Sequence, residues 1–318
     1  MKFSKNYKIL LFILVLAIFV SQAVIFRKNY NELIGFAGVN FIPDNISRPK
    51  IYFIDVTQPY KAMFLLEGNE PKIVFLSGTI ILPNKVTPQI HVGSNTTLIG
   101  VGKNAKILDS GLKISGAHNI IIKNIEFTNA PNDAITIEKG SHHIWIDHCV
   151  FSHAFDGLCD IVTGSDYVTL SWNVFERHWK TILIGGSNKT EDIDKNHLHV
   201  TIHHNYFKEC RTRLPRVRFG KVHVFNNYYE SNITGIRSTN QAEVLSENNF
   251  FYNVKVPATI GFENKYLGAL KEKGDICFWC QTKVRFKDKV FNPKDYYNYS
   301  LNNALFVPLI VKCKAGLL

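Results

Sequence analysis

One nine-residue phrase recurs six times and limits what this chain can fold into more than any other feature. Asn119-Ile-Ile-Ile-Lys-Asn-Ile-Glu-Phe127 aligns with His143-Ile-Trp-Ile-Asp-His-Cys-Val-Phe151 and Tyr167-Val-Thr-Leu-Ser-Trp-Asn-Val-Phe175, and then with the stretches that begin at His199, Lys221 and Glu243. Successive starts are 24, 24, 32, 22 and 22 residues apart, and a weaker seventh copy begins at Asn95. Each phrase alternates apolar and polar residues and is rich in β-branched types, so it reads as a short half-buried strand followed by a turn. The period is too short for a propeller blade, and the leucine and asparagine spacing of a leucine-rich repeat is missing. The economical fold is all-β: a single-stranded parallel β-helix in which each period is one coil and coils stack at about 4.8 Å. Equivalent positions then form ladders. Asn173, Asn205, Asn227 and Asn249 hold the seventh place, and Phe127, Phe151, Phe175, Phe207, Tyr229 and Phe251 the ninth.

The same register gathers charge. Asp133, Asp156, Lys180 and Arg213 lie 13 or 14 residues after the starts of four consecutive phrases. On a β-helix that spacing predicts a stack of two carboxylates, a lysine and an arginine, with Asp160 and Arg218 extending the patch. The segment from Gly185 to Asn196 is extra in its coil and should border this face. Surface salt bridges are the plainest account of such a stack. Two carboxylates one above the other repel unless something positive lies between them, so Asp133, Asp156 and Asp160 suggest ligands for a hard divalent cation, calcium above all. Within Arg213-Leu214-Pro215-Arg216-Val217-Arg218, Pro215 is expected to fix the backbone so that Arg213 and Arg218 share one ligand, with Arg216 facing another way. Guanidiniums offer planar forks that match carboxylates. An exposed groove with metal at one end and arginines at the other suits an extended polyanion.

Composition agrees without choosing the polyanion. The formal net charge is +11, with 46% hydrophobic and 20% charged residues, enough for a substantial core and basic enough for nucleic acid, anionic membrane or acidic polysaccharide. Lys2, Lys5 and Lys8, the apolar run Ile9 to Val20 and Ser21-Gln22-Ala23 read as an export signal over residues 1–23, with an uncleaved anchor as the alternative because Val24, Ile25 and Phe26 prolong the run. Removal of three lysines and no acid would leave +8. Six cysteines allow 15 pairings. Cys277-Phe278-Trp279-Cys280 has half-site spacing but no second pair, which favours a local disulfide or two buried thiols.

Trp145-Ile146-Asp147-His148, Asp156-Gly-Leu-Cys-Asp160-Ile, Gly164-Ser165-Asp166 with Ser171-Trp-Asn, Lys180 and the Arg213 to Arg218 run together resemble the pectate lyase family, polysaccharide lyase family one. The resemblance covers about Val74 to Phe251. It implies a right-handed parallel β-helix and calcium-dependent cleavage of polygalacturonate by β-elimination. It further implies calcium on Asp133, Asp156 and Asp160, substrate carboxylates on Lys180 and Arg218, and Arg213 as the base. Arginine hardly deprotonates in proteins, so that last role leans on cationic neighbours. Asp147 and His148, and equally His203 and His204, are read as structural. The implied organisation is a capping segment at 24–72, the β-helix at 73–253 and a C-terminal segment at 254–318 that covers the coils. The implied protein is secreted and monomeric, with an acidic polysaccharide and neither nucleic acid nor, once the leader is cut, membrane as partner.

The chain departs from the family pattern in three places. The glycine-rich N-terminal segment is reduced to Gly35-Phe-Ala-Gly38-Val-Asn, Pro131 replaces an additional calcium-binding aspartate, and one extra residue separates Asp133 from Trp145. The alternatives are a pectin lyase, against which the three aspartates argue, a polygalacturonase-type hydrolase, whose Gly-His-Gly motif is absent, and a noncatalytic polysaccharide-binding β-helix, against which Lys180 and Arg213 argue.

Overall fold

The computed structural model describes residues 33–41, 49–55, 59–81, 89–261, 266–281 and 289–318. The segment read as an export signal, with Lys265, Lys283 and Arg285, lies outside them. The described chain from Gly35 onward is a parallel β-helix built from three stacks of short strands.

Each phrase proves to be two strands rather than one. In the Asn119 copy these are His118–Lys123 and Glu126–Thr128. The break falls on the sixth position, where Asn124, His148, Trp172, His204, Asn226 and Asn248 all adopt left-handed backbone, with φ between 49° and 60°. Asparagine tolerates that region better than most residues, which accounts for its abundance at these corners. A second left-handed corner follows each ninth position, at Asn129, His153, Arg177, Glu209, Ser231 and Asn253. The chain then turns into the third stack, an eight-stranded parallel sheet running from Gln89–His91 to Val256–Ile260.

The strand register reproduces the repeat residue for residue. Ile120 pairs with Ile144, Val168 with Val200, and His199 with Lys221. Phe127, Phe151, Phe175, Phe207, Tyr229 and Phe251 form the aromatic ladder inside the coils, with ring centroids 4.4–5.2 Å apart. The asparagine ladder runs alongside: Asn173 Nδ2 donates to Asn205 Oδ1, Asn205 to Asn227 and Asn227 to Asn249, each at 3.0 Å. Its last rung is Asp275, whose Oδ1 accepts from Asn249 at 3.1 Å.

Strand pairing extends beyond 73–253 on both sides, through Lys50–Ile54 at one end and Ala269–Lys273 and Ile276–Phe278 at the other. The tail crosses the outside of the first stack, the one formed by the longer strand of each phrase. Tyr297 Oη lies 2.8 Å from both Thr201 Oγ1 and His223 Nδ1, Asn302 meets His204 and Asn226, and the backbone NH of Leu318 reaches Asn124. Phe36 docks beside it, its backbone NH on Thr201. Burial lowers the pKa of His204 to about 4, against the Asn302 bond, which favours the charged ring.

Trp145-Ile146-Asp147-His148 forms a closed network on the first stack. Asp147 lies 2.9 Å from Lys123, 2.6 Å from His148 and 2.6 Å from Ser171, whose hydroxyl also accepts from the Trp145 indole. Burial alone would push the Asp147 carboxyl up, but the His148 and Ser171 bonds and the Lys123 charge hold it below the usual range. All six cysteines are free. Cys149, Cys159 and Cys210 are core, whereas Cys277 is exposed and Cys280 half-buried, so the Cys-Phe-Trp-Cys motif is neither a disulfide nor a pair of buried thiols. Cys277 pairs with Phe251 and takes the next rung of the aromatic ladder. No helix among the described residues is long and apolar enough to cross a membrane.

Candidate active site

The turns that lead from the second left-handed corner into the eight-stranded sheet carry the charged stack. The structure brings Asp133, Asp156, Asp160, Lys180 and Arg213 together there. Lys180 Nζ lies 2.7 Å from Asp156 Oδ1, and Arg213 Nη1 lies 3.9 Å from Asp156 and 3.8 Å from Asp160. The register is offset by one residue from the sequence reading: Thr212, not Arg213, bridges to Lys180. Turn lengths vary between coils, and the strand repeat does not measure them. Arg213 reaches the stack from left-handed backbone, φ 64°, a conformation that costs arginine of order 1–3 kcal/mol and that functional sites often retain.

Lys180 and Arg213 form a gate at the surface, and Asp133 and Asp160 are buried behind it. Asp133 accepts from the Gly157 backbone NH at 2.7 Å and from Thr136 at 2.8 Å, and Thr136 is held in turn by Gln89. Asp160 Oδ1 is buried with no hydrogen-bond partner. Burial, reinforced by Asp133, raises the Asp160 carboxyl to about 8, and burial likewise raises Asp133. Gly157 leaves the space between them. A Cβ there would sit 2.3 Å from Asp160 Oδ1 and 3.1 Å from Asp133 Oδ1. An orphaned buried oxygen, two carboxyls short of positive charge and a gap kept open by glycine suit a hard cation, which takes oxygen ligands.

Among the described residues, however, no three acidic, histidine or cysteine side chains are gathered closely enough to cage a metal by themselves. Asp156 is turned to Lys180 and is 41% exposed, against 12% for Asp160. Its backbone carbonyl is 2.6 Å from the buried His178 ring.

The arginines differ from expectation. Arg218 lies at the border loop, with Nη1 donating to Gly185 O at 2.7 Å and Nε to Asn188 Oδ1 at 2.8 Å. Arg216 does not face another way. Arg216–Arg218 is a strand whose middle residue, Val217, points into the core, so Arg216 and Arg218 share the outer face. Arg216 continues the Asp160 and Leu183 row of the sheet and pairs with Arg237. Burial, with Arg218, Arg237 and Arg213 close by, lowers Arg216 to about 10, and burial lowers Arg218 and Arg237. The sequence reading missed Arg237 and Gly157. The Asp-Gly pair at 156 and 157 was visible, but Arg237 enters only through the register of the eight-stranded sheet.

Fold and site define a parallel β-helix protein with an acid and base stack on one column of turns. Comparison with known proteins narrows that class. The pectate lyase family model matches residues 57–301, further at both ends than the resemblance read from motifs. A pectate trisaccharide-lyase of Bacillus licheniformis is 34% identical over 272 residues, 78% of this chain and 75% of that protein. Pectate lyase A of Emericella nidulans is 40% identical over 199 residues, and the chain spans 60% of that relative's length. Among solved structures, a pectate lyase from Bacillus sp. N165 in complex with trigalacturonate superposes with TM-score 0.78 at 26% identity, covering 90% of this chain and 98% of that one. The chain belongs to the pectate lyase family.

Proposed function

We propose that this chain is a secreted enzyme that cleaves α-1,4-linked polygalacturonate by calcium-dependent β-elimination, leaving unsaturated oligogalacturonides. The observation that carries the reading is the Asp133 and Asp160 pair, buried, short of positive charge and gated by Lys180 and Arg213. Asp133, Asp156 and Asp160 would hold the calcium. When bound, it would supply positive charge that acidifies the proton beside a galacturonate carboxylate. Lys180 and Arg218 grip substrate carboxylates, and Arg216 and Arg237 extend that cationic face. Arg213 takes the proton from C5. The freed electron pair forms the C4–C5 double bond as the C4–O bond breaks, and the departing oxygen takes its proton from solvent. Arg213 suits the role by position, with Nη1 3.9 Å from Asp156 and 3.8 Å from Asp160, at the carboxylates that would hold the calcium. Residues 1–23 would direct export, 24–72 cap the coils and 254–318 cover them, and the secreted protein would work as a monomer.

The test is absorbance of unsaturated uronides formed from polygalacturonate, with calcium and with chelator. Product that appears with calcium and not with chelator is expected. Activity that persists in chelator and prefers esterified polymer would instead mean a pectin lyase. Absence of product, with polymer still bound by Arg213→Ala, would mean a binding protein.

A further inference from the structure

One residue before the gate, three exposed side chains occupy the same place in successive coils. Phe151 pairs with Phe175, and Glu176 with Lys208, which sets Phe155, Trp179 and Arg211 in one row beside the row of Asp156, Lys180 and Thr212. Phe155 is 77% exposed and Trp179 49%, a large apolar surface to leave bare next to an anion-binding site. Trp179 also lines an open pocket of about 570 Å³ with Asn129, His153, Arg177, Glu209 and Arg211. Arg177 is engaged by Glu176 at 2.7 Å, whereas Arg211 has no ion-pair partner among the described residues. Trp179 also touches the catalytic stack, because Lys180 Nζ lies 4.1 Å from its ring.

We infer that this outer row and its pocket form a second carbohydrate subsite, outside the catalytic groove, that takes a uronate unit. The apolar face of a pyranose covers the Trp179 and Phe155 rings, and its carboxylate meets the Arg211 fork. A neutral sugar would satisfy the rings and leave the guanidinium unpaired, so the site selects an acidic sugar. The inference rests on the reading that the substrate is a polyuronate. Occupancy would also fix Trp179, and through it the ammonium of Lys180.

Trigalacturonate titrated into the full chain carrying Arg213→Ala, in chelator, followed by tryptophan fluorescence, tests it. The expected result is a saturable change that the uncharged galactose trisaccharide does not give. It should vanish in a Trp179→Phe background, weaken roughly tenfold with Arg211→Gln, recover partly with Arg211→Lys and survive Asp160→Asn. Thermal unfolding checks that each variant is folded. An equal response to the neutral sugar, persistence without Trp179, or loss with Asp160→Asn would overturn the inference, the last by assigning the signal to the catalytic stack. Elimination by the wild type is read separately. Product without Arg211-dependent binding sinks only the second subsite, and Arg211-dependent binding without product sinks only the lyase reading.

Discussion

Two clusters of acid and base occupy different corners of the same solenoid. At the first stack, Asp147 has a partner on every side, in Lys123, His148 and Ser171, and its carboxyl is held down. At the turns into the eight-stranded sheet, Asp160 has an orphaned oxygen and a carboxyl raised to about 8, and its nearest cation stands 3.8 Å away. Composition is similar and saturation is opposite. A closed network stabilises a fold, whereas a buried charge left short of partners waits for one.

Four expected outcomes press on that contrast. Arg213→Ala should lower elimination by roughly 10³ to 10⁴ while the unfolding temperature barely moves, as kcat and calorimetry together would read; a large loss of stability would make Arg213 structural. Asp147→Ala should do the reverse. Leaving Lys123 buried without its partner should cost about 3–5 kcal/mol in denaturant unfolding, with activity per folded molecule retained.

Asp160→Asn should cut calcium-stimulated activity about 10²-fold. In chelator it should raise the unfolding temperature, because a carboxyl that folding disfavours has gone.

The smallest effect is in pH. Asp160, Asp133 and Asp275 have folded pKa values above their unfolded ones, mainly through burial, with Asp160 at about 8 and Asp275 at about 7. Between the ordinary carboxylate range and those values the folded state binds more protons at these three groups, so their contribution to stability in chelator should fall as pH rises from about 4 to about 8. His204, His178, His142 and His223, which burial shifts down, contribute in the opposite direction. Calcium should remove the Asp133 and Asp160 part and leave that of Asp275. A calorimetric pH series with and without calcium measures the difference, and curves that run parallel from about pH 4 to about pH 8 would contradict the saturation argument.

The sequence carried the ladders because a solenoid maps period onto space: one alignment of nine residues gave Phe127 to Phe251 and Asn173 to Asn249 their partners. The same alignment reached Asp133, Asp156, Lys180 and Arg213, which lie within a few residues of the phrase. It weakened with distance. By the eight-stranded sheet the intervening turns had changed length, so Arg237 stayed hidden and Arg216 was turned the wrong way, although strand alternation from Arg218 would have corrected it. Gly157 escaped for another reason. Its contribution is a volume, and a missing side chain leaves little pattern to read.

The asparagine ladder has a direction. Every amide in it donates toward the following coil, and the series ends on Asp275, which accepts from the side chain of Asn249 at 3.1 Å, from its backbone NH at 2.7 Å and from Ser246. A rung that only receives passes nothing on. In the neighbouring column the stack of rings gives way at the same coil to the thiol of Cys277. The coil count is thus written into the side chains as a terminator, much as a chain-stopping monomer ends a polymer. Replacing both stops with Asn and Phe would leave an end able to accept another coil.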